Sequence, residues 1–419
     1  MKFSENLIKN TDNIKEKTFI WNILASTLNA GLSAVLLIGV TRISGVYEAG
    51  IFAIAFSIAQ LMLTIGFFDM RAYQSTDIDK PISFKYYLSF RLITCSVMII
   101  ASVLWVYFGD YSDYKKTLIV LMCFLKMLDA LEDVMHGFLQ QNRRLDIAAK
   151  LQAMRMSITM GCFLIVLYLT KSLFYTLIIT TIVSFTAILI LNIPVIVNFT
   201  EVKLDFNYKF MKKLFLACLP LFIGSYLTLY LGNAPKYAID KYMSSEYQTY
   251  YGILFLPSFV INLFSGFIFR PVLTSLAEDW AKHERKKYTK KIIRLIVWCV
   301  GLTIIVFIGT YILGIPLLSF IYNINLASYK RELLILIIGG GFNALNVILY
   351  YALTVMRKQN HLLFGYLITA IFAFFTAPSL VRHQGIFGAT LAYLFSNILM
   401  NLIFALTYYK VLKNNITTN

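Results

Sequence analysis

The chain has 419 residues, of which 59% are hydrophobic and only 14% are charged. Soluble domains carry about 45–50% apolar and about 25% charged residues, so the composition excludes a water-exposed globule and indicates a polytopic membrane protein. The formal net charge is +17, and in a membrane protein this excess is first a topology signal, so we expect no nucleic-acid partner. The five Cys and four His show no zinc-like pairing, so we predict no metal and no cofactor.

Apolar runs long enough to cross about 30 Å of hydrocarbon follow one another along the chain. Ten of them are free of charged residues and cover 18–41, 49–68, 92–109, 172–200, 214–235, 247–269, 295–329, 333–356, 359–381 and 383–409. Two further runs, at about 116–140 and 147–169, are as long but contain charged side chains. The sequence therefore predicts an all-α polytopic membrane protein with twelve transmembrane helices.

The distribution of basic residues predicts the orientation of these helices. If the N-terminus is cytoplasmic, 26 of the 38 Lys and Arg residues lie in inner segments and nine lie in outer loops. Cytoplasmic loops carry the excess of Lys and Arg, so both termini are predicted to be cytoplasmic. We expect the most charged connection, 277–291, to be a surface amphipathic helix that contacts anionic headgroups.

Internal similarity relates the two halves of the chain. Residues 130–144 lie over residues 344–358 at a constant offset of 214, and Arg91-Leu-Ile lies over Arg294-Leu-Ile. Because six predicted helices separate equivalent positions, the halves form a parallel repeat, a common build of transporters. We predict an N-terminal six-helix lobe, an equivalent C-terminal lobe and a central cavity between them, with a twelve-helix bundle without a cavity as the alternative. The predicted lobes cover 1–200 and 201–419.

Polar side chains recur at helical spacing on the first and tenth predicted helices. The two stripes consist of Asn22, Ser26, Asn29 and Ser33, and of Asn343, Asn346, Tyr350 and Thr354. Such faces are costly against lipid, so they are expected to face protein or trapped water. We predict that Asn22, Asn29, Asn343 and Asn346 contribute to substrate binding.

The fourth predicted helix carries an ionic stripe, with Glu132 off to its side. The stripe consists of Lys126, Asp129, Asp133, His136 and Gln140, and the fifth helix adds Arg155. In a structural interpretation, Lys126 pairs with Asp129, and Asp133 pairs with Arg155. In a functional interpretation, Asp129, Asp133 and His136 bind H+ or Na+ and couple an ion gradient to movement of the lobes.

Four arginines lie at the predicted cytoplasmic ends of helices: Arg71, Arg91, Arg270 and Arg294. Long basic side chains at such positions can extend to lipid phosphate, which is one interpretation. The alternative follows from the repeat, in which Gly66-Phe-Phe-Asp-Met-Arg also lies over Gly266-Phe-Ile-Phe-Arg. The repeat thus relates Arg71 to Arg270 and Arg91 to Arg294, so that the four can project toward a shared crevice. Guanidinium groups donate bidentate hydrogen bonds and stay charged, so this second interpretation predicts a site for a phosphate ester.

Three loose motifs occur in order with the twelve helices and the parallel lobes. They are Gly45-Val-Tyr-Glu-Ala-Gly-Ile-Phe, Gly66-Phe-Phe-Asp-Met-Arg and Gly137-Phe-Leu-Gln-Gln-Asn-Arg-Arg. With this architecture, the chain resembles over essentially its whole length the polysaccharide-transport branch, with its O-antigen flippases, of the multidrug/oligosaccharidyl-lipid/polysaccharide (MOP) exporter superfamily.

The resemblance implies a flippase of the bacterial inner membrane. Its cargo would be an undecaprenyl-pyrophosphate-linked oligosaccharide of O-antigen or capsule type, moved from the cytoplasmic to the periplasmic leaflet by alternating access, and its further partners would be membrane lipid and the polysaccharide assembly machinery. The family's cationic central cavity would map onto Arg71, Arg91, Lys126, Arg155 and Arg270.

Two other functions are alternatives to the flippase. A cation-coupled multidrug or small-molecule exporter of the same superfamily would share the fold, but such proteins commonly carry an acidic residue in the first span, and none lies there. A membrane-embedded polysaccharide polymerase or ligase would be an enzyme with a long outer loop, and the longest predicted outer connection is about 16 residues. We therefore expect a transporter and not an enzyme.

Overall fold

The structure, a computed structural model, describes Leu7, residues 13–77 and residues 82–416, and no strand occurs among them. The helices of the first half are α1 (Ile14–Ser44), α2 (Val46–Phe67), α3 (Met70–Thr76), α4 (Phe84–Phe108), α5 (Asp113–Gln141), α6 (Leu145–Thr170), α7 (Leu173–Ala187) and α8 (Ile193–Val197). The helices of the second half are α9 (Tyr208–Tyr242), α10 (Ser245–Ala281), α11 (Arg285–Gly309), α12 (Ile315–Tyr322), α13 (Lys330–Val355) and α14 (Gln359–Ile416). Two π-helical turns, Ile188–Asn192 and Thr310–Gly314, join α7 to α8 and α11 to α12, and a 3-10 turn, Ala327–Tyr329, precedes α13.

Within the described ranges, nine helical segments are long and apolar enough to cross a membrane. One of them, Asn360–Lys413, breaks at Gly385, where φ is 57° and ψ is −135°, and so comprises two helices. Outside this group, α5 and α10 are also of membrane-spanning length, with 29 and 37 residues. The part of the chain that the structure describes thus holds nine to twelve such helices, which confirms the predicted all-α polytopic class.

The chain divides into two compact units, Met1–Tyr226 and Leu227–Asn419, and the boundary between them falls within α9. The predicted lobe boundary at residue 200 and the predicted central cavity stay predictions. The highly charged 277–291 segment is not a separate surface helix. It comprises the last turn of α10, a short turn and the first two turns of α11.

The first unit is built around α5, because α2, α3, α4, α6 and α7 all pack against this helix. Its buried residues Leu128, Val134 and Leu139 join a hydrophobic core with Tyr87 of α4 and Leu151 of α6. Since neighbouring helices surround α5, its ionic side chains meet protein rather than lipid, which is where charged groups within a membrane are tolerated.

A backbone break between α2 and α3 positions Arg71, the first of the candidate arginines, on α3. Phe68 and Asp69 both have φ of 47°, a left-handed conformation that ends α2 and starts α3 in a new direction. The short α3 then packs on α5, where the Gln74 amide donates to the Val134 carbonyl at 3.3 Å. A Cβ on residue 137 would collide with Gln74, so Gly137 permits this close approach.

In the second unit, α13 packs against α10, α11 and α14. Three consecutive glycines of α13 allow this close packing, because each one faces a different neighbouring helix. A Cβ on Gly339, Gly340 or Gly341 would lie 2.7 Å from Tyr393 Cδ1, 2.8 Å from Ser258 Cβ and 2.6 Å from Thr303 Cγ2, respectively. The three glycines therefore serve close helix packing within a continuous helix.

Candidate functional site

The ionic side chains of α5 form two adjoining groups inside the first unit. Residues three or four apart on a helix lie on the same face, so Lys126, Asp129 and Asp133 share one side of α5. The first group is centred on Asp133 and includes arginines from α3 and α4. The second is centred on Arg155 of α6.

Asp133 accepts one guanidinium on each carboxylate oxygen. The Arg91 Nη2 atom donates to Asp133 Oδ2 at 2.8 Å, and the Arg71 Nη1 atom donates to Oδ1 at 3.1 Å. Arg91 is fully buried and also donates to the Gly66 carbonyl. In contrast, the Arg71 side chain is 33% exposed, and its Nε donates to Gln140 at 3.3 Å. One of the two arginines is thus locked in the protein, while the other reaches the surface of the unit.

Arg155 bridges two carboxylates of α5. Its Nη2 atom lies 2.6 Å from Asp129 Oδ1 and 2.8 Å from Glu132 Oε2, and its Nη1 donates to Ser184 of α7 at 2.9 Å. Asp129 also accepts from Lys126 Nζ at 2.9 Å. Because Lys126, Glu132 and Arg155 are all buried, these charged hydrogen bonds are only weakly screened.

His136 extends the second group toward the π-helical turn after α7. Its Nε2 atom lies 3.1 Å from Asn192 Oδ1, and the Asn192 amide donates to Glu132 Oε1 at 3.3 Å. His136 and Glu132 are themselves 3.7 Å apart. All three side chains are buried, so a proton gained or lost here would change the charge of the whole Arg155 group.

The four basic residues of this region are not a surface of free cations. Arg71, Arg91, Lys126 and Arg155 each contact at least one of three carboxylates. A fourth carboxylate, Asp69, accepts a hydrogen bond from Ser225 and interacts electrostatically with Arg91 and Asp133. The charges of this region therefore largely balance one another.

A small cavity adjoins the second group. It is lined by polar groups of Lys126, Asp129, Arg155, Thr159 and Thr180, and by apolar side chains that include Phe56, Met122, Met160 and Phe163. The space open to the centre of a water molecule is about 30 Å³, enough for one or two waters. The buried Nε of Arg155 has no partner within the described ranges, so water in this cavity can accept its hydrogen bond.

The predicted asparagines fall into two classes. On α1, Asn22 is half-buried and Asn29 is exposed. On α13, Asn343 donates to Asn262 of α10 at 2.9 Å, and the buried Asn346 donates to Asn397 of α14 at 3.2 Å. The α13 pair therefore joins helices of the second unit.

Two features of the predicted ionic stripe are corrected by the contacts. Asp133 does not pair with Arg155, because Arg71 and Arg91 occupy both of its oxygens and Arg155 is taken by Asp129 and Glu132. The predicted pair of Lys126 with Asp129 is confirmed. Glu132, set aside in the sequence interpretation, is a central member, and its spacing of four residues from His136 was the available signal.

The helix-end arginines also differ from one another. Extension of Arg91 to lipid phosphate is wrong, because this side chain is buried against Asp133. Arg71 forms an ion pair with the same carboxylate. Arg294 is exposed. Arg270 belongs to α10, but its side chain lies outside the described residues, as do those of its neighbours.

Solved structures provide the comparison, since no family model and no curated protein matches this chain. An inward-facing multidrug resistance MATE family transporter of the MOP superfamily matches with a TM-score of 0.66 at 9% identity, over 96% of each chain. The lipid II flippase MurJ, in an inward closed conformation, matches with a TM-score of 0.68 at 15% identity, over 96% of this chain and 90% of that one. The chain has the fold of the MOP transporters.

Another MOP-type match is the Vibrio cholerae MATE transporter VcmN, with a TM-score of 0.59 and 12% identity over 96% of this chain and 98% of that one. The MOP fold is therefore found in a lipid flippase and in multidrug transporters alike. It establishes the architecture of a multi-pass membrane protein.

Proposed function

We propose that the chain is a flippase for undecaprenyl-pyrophosphate-linked oligosaccharide repeat units of O-antigen or capsule type. It acts in the bacterial inner membrane, with both termini in the cytoplasm, and moves its cargo to the periplasmic leaflet by alternating access without enzymatic chemistry. The MOP fold supports this proposal, since a lipid II flippase is among the chains that share it.

The observation that carries the proposal is the unequal pair of arginines on Asp133. Arg91 is fully buried, whereas one third of the Arg71 side chain is exposed. When Arg71 turns toward an anion, Asp133 keeps Arg91 as its partner, so this carboxylate, whose side chain is only 13% exposed, is not left uncompensated. A pyrophosphate offers several acceptor oxygens to the bidentate guanidinium of Arg71. Arg71 is therefore the cation of this group that is best placed to bind cargo.

A strain that lacks the chain tests the function in cells. It should accumulate unflipped lipid-linked repeat units, and normal surface polysaccharide in that strain would contradict the proposal. Complementation with Arg71→Gln should leave the accumulation, and Arg71→Lys should relieve it only in part because an ammonium group lacks the bidentate fork. Lys209→Gln removes the same charge from an exposed side chain of α9 and should complement fully.

A cation-coupled exporter of small molecules is the second candidate. It is favoured by the MATE transporters that share the fold and by the group of Asp129, Glu132 and His136, in which Glu132 and His136 are buried and Asp129 is partly buried. In that case Asp129→Asn should abolish H+- or Na+-dependent efflux of a cationic dye from vesicles. The flippase proposal expects no dye efflux in the wild-type chain, and measurable efflux that Asp129→Asn removes would favour the exporter.

A further inference from the structure

One face of α11 changes from basic to apolar along its length. Lys286, Lys290 and Arg294 are exposed and follow one another at intervals of four residues. At 100° per residue they lie within about 80° of arc on the helix. Further along the same side, Val297 and Trp298 are 64% and 62% exposed. This face, which we call the α11 stripe, consists of Lys286, Lys290, Arg294 and Trp298.

Two neighbouring acidic residues, Asp279 and Glu284, have other basic residues as partners and not those of the stripe. Lys287 pairs with Glu284 at 2.9 Å, and Lys291 pairs with Asp279 at 2.6 Å. The whole of α11 contains no Asp or Glu. The three basic side chains of the stripe therefore present positive charge to their surroundings.

The stripe ends where a lipid-facing surface begins. From Ile293 onward, large apolar side chains on α11 are exposed: Val297, Trp298, Val300, Ile304, Ile305 and Ile308. Exposed apolar residues on a membrane-spanning helix lie in hydrocarbon, and Trp is enriched at the interface between hydrocarbon and headgroups. Arg294, one turn before Trp298, is consequently placed at the level of the headgroup phosphates.

The internal repeat allows the position of Arg294 to be compared with that of its counterpart, Arg91. Arg91-Leu-Ile in the first half is matched by Arg294-Leu-Ile in the second. Arg91 is fully buried and bound to Asp133, whereas Arg294 is exposed. The same sequence element thus turns its arginine toward protein in one unit and toward the surroundings in the other.

We propose that the α11 stripe is a binding site for an anionic phospholipid. Arg294 donates a bidentate pair of hydrogen bonds to the lipid phosphate, Lys286 and Lys290 attract the negative headgroup, and Trp298 packs beside the glycerol and upper acyl chain. The site does not depend on the proposed transport function, because none of its residues belongs to the Asp133 or Arg155 groups.

Lipid retained by the purified full chain tests the proposal. The protein is reconstituted in vesicles of phosphatidylcholine with phosphatidylglycerol, extracted in mild detergent, and the bound lipids are counted by native mass spectrometry. The triple variant Lys286→Gln, Lys290→Gln, Arg294→Gln should lower retained phosphatidylglycerol at least about fivefold, since one basic contact alone contributes about that factor. Retained phosphatidylcholine should not change.

A matched triple variant separates a site from general charge attraction. Lys203→Gln, Lys209→Gln and Lys212→Gln remove the same charge from exposed positions elsewhere and should retain phosphatidylglycerol as the wild-type chain does. Arg294→Lys keeps the charge but removes the bidentate contact and should give an intermediate loss. Equal loss in both triple variants, or no loss in the α11 variant, would overturn the proposal.

Discussion

Replacing the two arginines of Asp133 one at a time should separate a structural residue from a cargo-binding residue. Arg91→Gln removes a fully buried guanidinium with bonds to Asp133 and to the Gly66 carbonyl. Loss of one partner of a buried ion pair costs about 3–5 kcal/mol, and because Arg71 remains, we expect about 3 kcal/mol. At about 2–4 °C per kcal/mol, the melting temperature in detergent should fall by about 6–12 °C.

Arg71→Gln should behave differently, because its side chain is one third exposed and its pair with Asp133 is partly screened. We expect the free energy of unfolding to fall by at most about 1 kcal/mol and the melting temperature to fall by a few degrees. Flipping of the lipid-linked cargo should nevertheless be lost. The double variant Arg91→Gln, Asp133→Asn should recover part of the stability lost in Arg91→Gln, because the largely shielded carboxylate charge of Asp133 is then gone. Equal melting temperatures for the two single variants would refute this reasoning.

Two further predictions concern packing and pH. Gly340→Val should destabilise the second unit by about 1–3 kcal/mol, because its Cβ would lie 2.8 Å from Ser258 Cβ. The control is Gly301→Ala on α11, which has open space around it and should not lower the melting temperature. The Lys85 ammonium, 2.8 Å from Asp205, holds the pKa of that partly exposed carboxyl below its ordinary value of 3.8. The ion pair of Lys85 with Asp205 is therefore present above pH 3.8. It is lost only as the pH falls through the lower pKa that Asp205 has in the folded protein. Pepsin cleavage near Asp205 should begin to rise at a lower pH in the wild-type chain than in Lys85→Gln, and identical pH profiles would contradict it.

The class of the fold could be predicted from the sequence because lipid imposes a strong rule on composition. Runs of about 20 apolar residues must be helical in a bilayer, since backbone groups have no water to bond. Even α5, with its charged residues, followed from its length and from its place in the order of helices. The break at Phe68 and Asp69 could not be predicted. Asp tolerates a left-handed backbone but Phe rarely adopts one, and the turn is accompanied by long-range contacts, with the Phe68 ring stacked on Phe222 and Asp69 accepting a hydrogen bond from Ser225.

The sequence predicted which residues belong to the ionic site better than it predicted which of them pair with one another. Helical spacing placed Lys126 and Asp129 together, since residues three apart on one helix meet whatever surrounds them. The partners of Asp133 depend on how α3 and α4 approach α5, and this approach depends on Gly137 and on a turn between helices. Long-range contacts of that kind leave no periodic signal in a single sequence, and for this reason the predicted pair of Arg155 with Asp133 is wrong.

Translocation by the purified chain tests the central proposal most directly. Proteoliposomes carry a fluorescent undecaprenyl-pyrophosphate-linked oligosaccharide, and the fraction exposed on each leaflet is followed with a membrane-impermeant quencher. We expect rapid exchange between leaflets with the wild-type chain, much slower exchange with Arg71→Gln, and wild-type exchange with Lys209→Gln. Exchange no faster than in protein-free liposomes, or equally fast with Arg71→Gln, would contradict it.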